Sequence, residues 1–361
     1  MNEHHLNQTC YTLEKYLTNC FGLDKRQQCL SAAVLNQVLI AACAHNTYVE
    51  TISNKADSLF RYIAESEESQ FLFSYLYFIK KTSNKINLQK KKVVLAFDYT
   101  KETFWGEVNG FDIHGTKKSE KGTGAFKFLT CSQVSGKIHA KIPLASIPVG
   151  IGHNKSYAIT HCLSLIKGHI GEIELLLFDR EFYNKELLMT LNHLNIPYLI
   201  FVPKKKGEIK DTLEHMYTGE TLTKIYTFDV KKNKTTYHDE TTMAFLKAIF
   251  NGKNYEHYDW CFVTNIQEFD IDAMIPAYKC RWRIETGFRI QDEADCKTKS
   301  KEMRARYFFF LYEQLLQSIW YVFYKREMSF KQFIITLHNY LQGNQPLEGS
   351  KVHLYADKDR G

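Results

Sequence analysis

The order of apolar and polar positions splits the chain into a helical part and a part in which strands and helices alternate. Up to about residue 85 the apolar residues recur every three or four positions. Leu30, Val34, Val38 and Ala41 of LDKRQQCLSAAVLNQVLIAACA show this period, which marks one face of a helix. ADSLFRYIAE and SQFLFSYLYFIKK follow after polar breaks and predict two further helices, and the polar segment KKTSNKINLQKKK closes the region. No β-branched alternation interrupts it, so an all-helical N-terminal unit is predicted.

The pattern changes at Val93. VVLAFD is a short, continuous apolar run ending in an acid, which predicts a strand buried on both faces. TFWGEV, AFKFLTCSQV and KIHAKIPLASIPV, separated by glycine and polar breaks, predict more strands, the earlier ones in a meander. HNKSYAITHCLSLIKGH predicts a helix capped by Asn154 and stopped near Gly168. IELLLFD repeats the apolar run that ends in an acid, and NKELLMTLNHLN and YLIFVP add a helix and a strand. This alternation predicts a mixed α/β sheet.

From Lys204 to about Asp259 the strand-like KIYTFDV and TTYHDET flank KKNK as a hairpin, and the stretch reads as an insertion. WCFVTNI restores a buried strand, and IDAMIPAYKCRWRIETGFRIQDEADC predicts one long helix. Tyr307 to Tyr324 is the most apolar stretch, but Glu313, Gln314, Gln317 and Ser318 would be costly in hydrocarbon. It predicts a buried aromatic helix and no membrane span. The tail from Gly343 onward is expected to be poorly ordered.

Composition removes several classes. A 44% hydrophobic content with 25 Phe and 22 Tyr suits a packed core and excludes a disordered polyelectrolyte. The nine cysteines are odd in number and contain no CxxC pair, which fits neither a disulfide framework nor a thiolate zinc site. MNEHHLNQTC lacks the charged start and apolar run of an export signal, so a cytoplasmic, nucleoid-associated location is expected. The net charge of +7 is modest but clustered, at Lys90 to Lys92, Lys117, Lys118 and Lys121, Lys204 to Lys206, Lys231, Lys232 and Lys234, and Lys297 to Arg306. One such run is ordinarily a solvated loop. Five point to a polyanionic partner, most commonly a phosphate backbone.

Asp98 and Asp179 end two matched apolar runs. Ligands of open α/β sheets bind at the carboxyl ends of strands, and adjacent strands lie ~4.8 Å apart, so two such carboxylates can share a metal ion. Either acid alone reads as a turn or cap residue. Glu285 is the best third acid. With Tyr278, Arg281, Arg289 and Asp292 it falls on one helix face, which on spacing alone reads more readily as a surface salt-bridge ladder. His139, His153 and His161 lack metal-ligand spacing, no nucleophile elbow is present, and GTGAF is not a phosphate loop.

DYTKETFWG from Asp98, LLLFDREFY around Asp179 and YKCRWRIETGFR from Tyr278 together resemble the DDE transposases of insertion sequences. They are most similar to the insertion-sequence-4-type group and its archaeal relatives. That group carries Tyr, Arg, Glu and Lys at fixed spacing. Tyr278, Arg281 and Glu285 match the first three places, whereas Asp292 stands in the fourth, where Arg289, Lys297 or Lys299 would have to supply the cation. The resemblance spans roughly Val93 to Tyr324.

It implies an α/β fold, a ribonuclease H-like mixed sheet flanked by helices, with a β-rich insertion and an N-terminal all-helical domain. The implied divisions are 1–90 as a DNA-end-binding domain, 91–205 with 258–330 as the catalytic domain, 206–257 as the insertion, and 331–361 as a C-terminal helix and tail. It further implies metal-dependent, cut-and-paste hydrolysis and strand transfer at element ends. Asp98, Asp179 and Glu285 would hold two Mg2+ or Mn2+ ions. Arg281 would grip phosphate in bidentate fashion, Tyr278 would donate to the same backbone, and Arg180 would clamp phosphate beside Asp179. Trp282 would stack an extruded base or pack between helix and sheet. The implied partners are double-stranded DNA with terminal inverted repeats, target DNA and a second protomer in the synaptic complex, with no membrane. The rivals are a nuclease that cuts without joining, a decayed DNA-binding relic, and a metal-free carbohydrate hydrolase using two carboxylates.

Overall fold

The computed structural model describes residues 3–25, 30–116, 122–138, 141–203, 207–248, 259–268 and 270–343. The chain opens with helices α1 (Glu3–Phe21), α2 (Ala32–His45), α3 (Val49–Ile52), α4 (Ala56–Glu65) and α5 (Glu68–Lys85). The last two fall where the apolar spacing predicted them. α2 begins at Ala32, later than the predicted run, because the Ser31 hydroxyl accepts from Val34 N and caps the first turn there. Leu23–Lys25 forms a separate 3₁₀ turn.

The strands are β1 (Val93–Phe104), β2 (Ile113–Gly115), β3 (Gly124–Gln133), β4 (Pro143–Pro148), β5 (Ile173–Phe178), β6 (Tyr198–Phe201), β7 (Thr221–Lys232), β8 (Thr235–Leu246) and β9 (Trp260–Thr264). They form one sheet in the order β2-β3-β1-β5-β6-β9-β8-β7, with β4 also paired to β3. β1, β5 and β6 are parallel and the remaining pairings are antiparallel. Helices α6 (Lys155–Ile166), α7 (Lys185–Leu194), α8 (Glu208–His215), α9 (Ile271–Lys279), α10 (Trp282–Gln291), α11 (Met303–Phe323) and α12 (Phe330–Leu341) complete the fold. A mixed sheet flanked by helices is thus the observed architecture. No helix among the described residues is long and apolar enough to cross a membrane.

Three features depart from the sequence pattern. VVLAFD runs on through Thr103 and Phe104, the start of TFWGEV, as one strand, because Asp98 through Phe104 stay paired with β3 after pairing with β5 stops at Phe97 and Phe178; Trp105 to Val108 lie outside it. Asp98 therefore ends the parallel pairing and not the strand. The predicted long helix is two, since Cys280 N and Arg281 N bond to Ala277 O and Tyr278 O, three residues back, tightening the backbone between α9 and α10. The hairpin β7–β8 does form, turning at Asn233 with φ 49°, but β8 pairs with β9 and so continues the main sheet. The tail from 344 lies outside the described residues, as do the lysines at 117, 118, 121 and 204–206, and His139.

The two sheet faces are filled differently. Phe97 and Phe178 join the large core that also holds α1, α2, α5, α11 and α12. Ala96 and Leu177 turn to the opposite face, which is covered by Ile271, Ile275, Tyr278 and Ile284 of α9 and α10. Helix α11 runs through the large core, and its predicted burial holds over Tyr307–Tyr321.

Candidate active site

Strand alternation decides where the two acids point. Asp98 stands two residues after Ala96 and Asp179 two after Leu177, so both share the face covered by α9 and α10. Because Phe97 and Phe178 are register partners, the acids leave neighbouring parallel strands at the same level. The tight turn after α9 then drives the Arg281 side chain inward, where it is only 6% exposed. Its Nη1 donates to Asp98 Oδ2 at 3.0 Å and its Nη2 to Glu285 Oε1 at 2.7 Å. Tyr278 is buried among Phe201, Trp260 and Phe262, with its hydroxyl donating to Phe178 O at 3.3 Å. Asp179 caps the 3₁₀ turn at Arg180–Phe182, its Oδ1 accepting from Arg180 N at 2.6 Å.

The electrostatics follow from this enclosure. Burial raises the Asp98 carboxyl to about 6; Arg281 and the Tyr99 amide oppose the rise, and Glu285 and Asp179 add to it. Burial also pushes the Tyr278 phenol up, against the pull of Arg281. Burial alone would lower Arg281, but Tyr278, Asp98, Asp179 and Glu285 surround it and raise it above its ordinary value. Three acids and one tyrosine thus share a single buried cation.

The remaining predicted residues spread outward. Trp282 is 45% exposed at the start of α10 and is not wedged under the sheet. Arg289 is exposed and donates to Thr286 Oγ1, and the exposed Arg180 enters the site through its backbone only. Asp292 lines a cleft of about 600 Å³ beside the acids together with Trp105, Phe288, Asp295, Lys297, Lys299, Lys301 and Arg306. Lys297 and Lys299 lie on an irregular strap between α10 and α11. The strap is pinned to the N-terminal helices by Val49 N to Lys297 O, Lys297 N to Thr47 O, and Thr298 Oγ1 and Lys299 N to Glu50 Oε1. Burial and Asp295 raise the Asp292 carboxyl.

Sequence reasoning missed the support behind Asp179. Lys127 on β3 is 8% exposed; its Nζ is 2.6 Å from Glu181 Oε1 and 3.8 Å above the Tyr99 ring. Tyr99 in turn stacks on Phe182 at 4.7 Å and its hydroxyl lies 2.7 Å from His153 Nε2. This group ties the turn after Asp179 to the strand that carries Asp98. The available signal was one lysine inside the otherwise apolar AFKFLTC.

Among the described residues no group of three His, Cys, Asp or Glu side chains is close enough to hold a metal ion. The acids around Arg281 are nevertheless all hard oxygen donors, the set that Mg2+ takes. A guanidinium bridging two of them shows that the spot is electrostatically suited to a cation.

Comparison with known proteins adds the family. A family model described as the transposase DDE domain matches residues 112–312, a stretch that includes Asp179 and Glu285 and begins after Asp98. No curated protein matches the chain. A cryo-EM structure of a piggyBac transposase synaptic complex with hairpin DNA is similar in fold, with a TM-score of 0.53 at 12% identity, covering 92% of this chain and 77% of that one.

Proposed function

This chain belongs to the transposase DDE-domain family, and we propose that it is a DNA transposase of the insertion-sequence-4 type that cuts element ends and joins them to new DNA. The observation that carries the reading is the double bridge from Arg281 to Asp98 and Glu285, set beside Asp179 on the neighbouring parallel strand. The strand order β4-β3-β1-β5-β6, with β1, β5 and β6 parallel, supports a ribonuclease H-like core.

Asp98, Asp179 and Glu285 would hold two Mg2+ or Mn2+ ions. When bound, these supply activation of the attacking oxygen and neutralisation of the phosphate charge. Arg281 bridges Asp98 and Glu285, and its planar fork suits a bidentate grip on phosphate once the acids have another counter-charge. Tyr278 backs Arg281 from below, with its ring 5.7 Å from the guanidinium carbon. Exposed Trp282 and Arg289 stand on the same helix, ready for a base and a phosphate. Lys297 and Lys299, in the cleft with Asp292, supply the cations that the signature position lacks. The N-terminal helices would contact the element end and two protomers would pair two ends.

The test is cleavage and joining of a donor carrying the element ends, with Mg2+ or Mn2+ present. The unaltered chain should release the element and link its 3′-ends to a target duplex, and Asp98→Asn, Asp179→Asn and Glu285→Gln should each lose both steps. Cutting without joining would leave only a nuclease, and chelator-resistant activity would remove the metal-dependent reading.

A further inference from the structure

A second groove, sharing no residue with the acids, lies where α1, α5 and the C-terminal end of α11 meet. It encloses about 570 Å³ and is lined by His5, Tyr11, Lys15, Tyr77, Lys81, Lys85 and Phe323, among others. Helix α11 connects it to the cleft beside Asp292, because Phe310 lines that cleft and Phe323 lines this groove. At 1.5 Å per residue, Glu313 of the cleft and Ile319 of the groove are ~9 Å apart along the helix.

The groove is built from two stripes. On α5, Tyr77, Lys81 and Lys85 recur every four residues and line the groove from one face, which Phe73 extends by one turn beyond the lining. The Phe73 and Tyr77 rings are 63% and 49% exposed, although most of the helix's other apolar residues are buried. On α1, Tyr11 is 58% exposed and Lys15 follows it by one turn. Each lysine lies by its ring, Lys81 Nζ 4.4 Å from the Tyr77 centroid and Lys15 Nζ 5.6 Å from that of Tyr11. Phe323 closes the third side at 45% exposure. Among the described lining residues there is no carboxylate, in contrast to the cleft beside Asp292, which holds Glu102, Asp292, Asp295 and Glu313.

We propose that this groove binds an unpaired stretch of DNA, with Lys15, Lys81 and Lys85 on phosphates and Tyr11, Tyr77 and Phe323 against bases. Cations without acids select a polyanion. Exposed rings interleaved with cations select one that carries flat, stackable groups at regular intervals, which is how single strands are held without sequence preference. A duplex offers its grooves only base edges, so rings at this spacing have nothing to stack on until the strand is opened. An apolar peptide would offer nothing to the charges of the three lysines or to the side-chain amides of Gln8 and Asn19 in the lining. The proposal rests on the reading of the chain as an enzyme that acts on DNA, and it assigns to the N-terminal helices a strand-holding groove away from the reacting bond.

The experiment is fluorescence anisotropy of the full chain in chelator, with labelled oligothymidine of about 20 nucleotides and a matched duplex. The unaltered chain and Asp98→Asn should bind the single strand equally. Tyr11→Ala with Tyr77→Ala, and separately Lys81→Glu with Lys85→Glu, should weaken that binding at least ~10-fold while the melting temperature stays unchanged. Photocrosslinking through halogenated uracil should label Tyr11 or Tyr77. The proposal is overturned by an unaltered chain that ignores the single strand, by variants that bind as the unaltered chain does, or by variants that change only self-association in sedimentation. Chelator removes catalysis from the measurement, so an unaltered chain that cleaves in an Asp98-dependent way yet does not bind the single strand defeats the groove alone. Intact binding without cleavage defeats only the catalytic reading.

Discussion

Arg281 meets Asp98 across 183 positions of sequence, Nη1 to Oδ2 at 3.0 Å, while its other terminal nitrogen holds Glu285 one helical turn away. A lysine at this position has one ammonium and cannot span both carboxylates with planar geometry. Arg281→Lys should therefore keep the fold, with a loss of about 1–3 kcal/mol in chemical denaturation, and lower strand joining at least ~10-fold. Equal joining by the two proteins would show that the bridge plays no part in the reaction.

Glu102 gives the clearest pH signature. Burial raises its carboxyl from 4.5 to about 7; Arg306 opposes the rise and Asp295 adds to it. The folded state thus binds the proton more tightly than the unfolded chain, so this contribution to stability is complete below about 4.5 and is lost as pH climbs through about 7. Glu102→Gln should be the more stable protein at pH 8, by on the order of 2 kcal/mol, with the difference closing below pH ~4.5. Thermal melts across that range measure it, and a constant gap would contradict the assignment.

Lys127 and Glu181 should act on Asp179 through the turn they fix. Lys127→Met keeps the buried stem and removes the charge 2.6 Å from Glu181. The expected result is a ~10-fold lower rate of cleavage at saturating DNA with little change in DNA affinity. A double-mutant cycle with Glu181→Gln should return a coupling of about 1 kcal/mol. A variant that loses affinity and keeps its rate would place Lys127 in DNA binding instead.

The N-terminal helices are packed into the catalytic body. Phe308 of α11 lies 5.0 Å from Phe21 and 5.3 Å from Phe71 by ring centroids, Tyr312 donates to Asn36 Oδ1, and Tyr75 donates to Pro143 O. A chain starting at Lys91 would expose the aromatic side of α11, and it should be insoluble or lack a cooperative melt. Phe308→Ala in the full chain should cost about 3–5 kcal/mol. A soluble, cooperatively melting shortened chain would show that the two parts fold independently.

The local periods fixed much of this architecture in advance. α4, α5, α6, α7, the hairpin β7–β8 and the buried α11 lie where apolar spacing and caps put them, because those signals act over a few residues. The three acids were singled out from two matched apolar runs and a resemblance, both of which reside in linear order. What the linear order could not hold was direction. The alternation of β1 and β5 turns Asp98 and Asp179 to the same side only because Phe97 and Phe178 are register partners. The helix carrying Glu285 breaks at Cys280 and Arg281, where the guanidinium meets Asp98, a break that no glycine or proline at those two positions announces. Lys127, Glu181 and Tyr99 come from separate segments, and nothing local marks a lysine in an apolar strand as one end of an ion pair. Short-range propensity is written along the chain, whereas a cation shared by distant carboxylates exists only after the chain has packed.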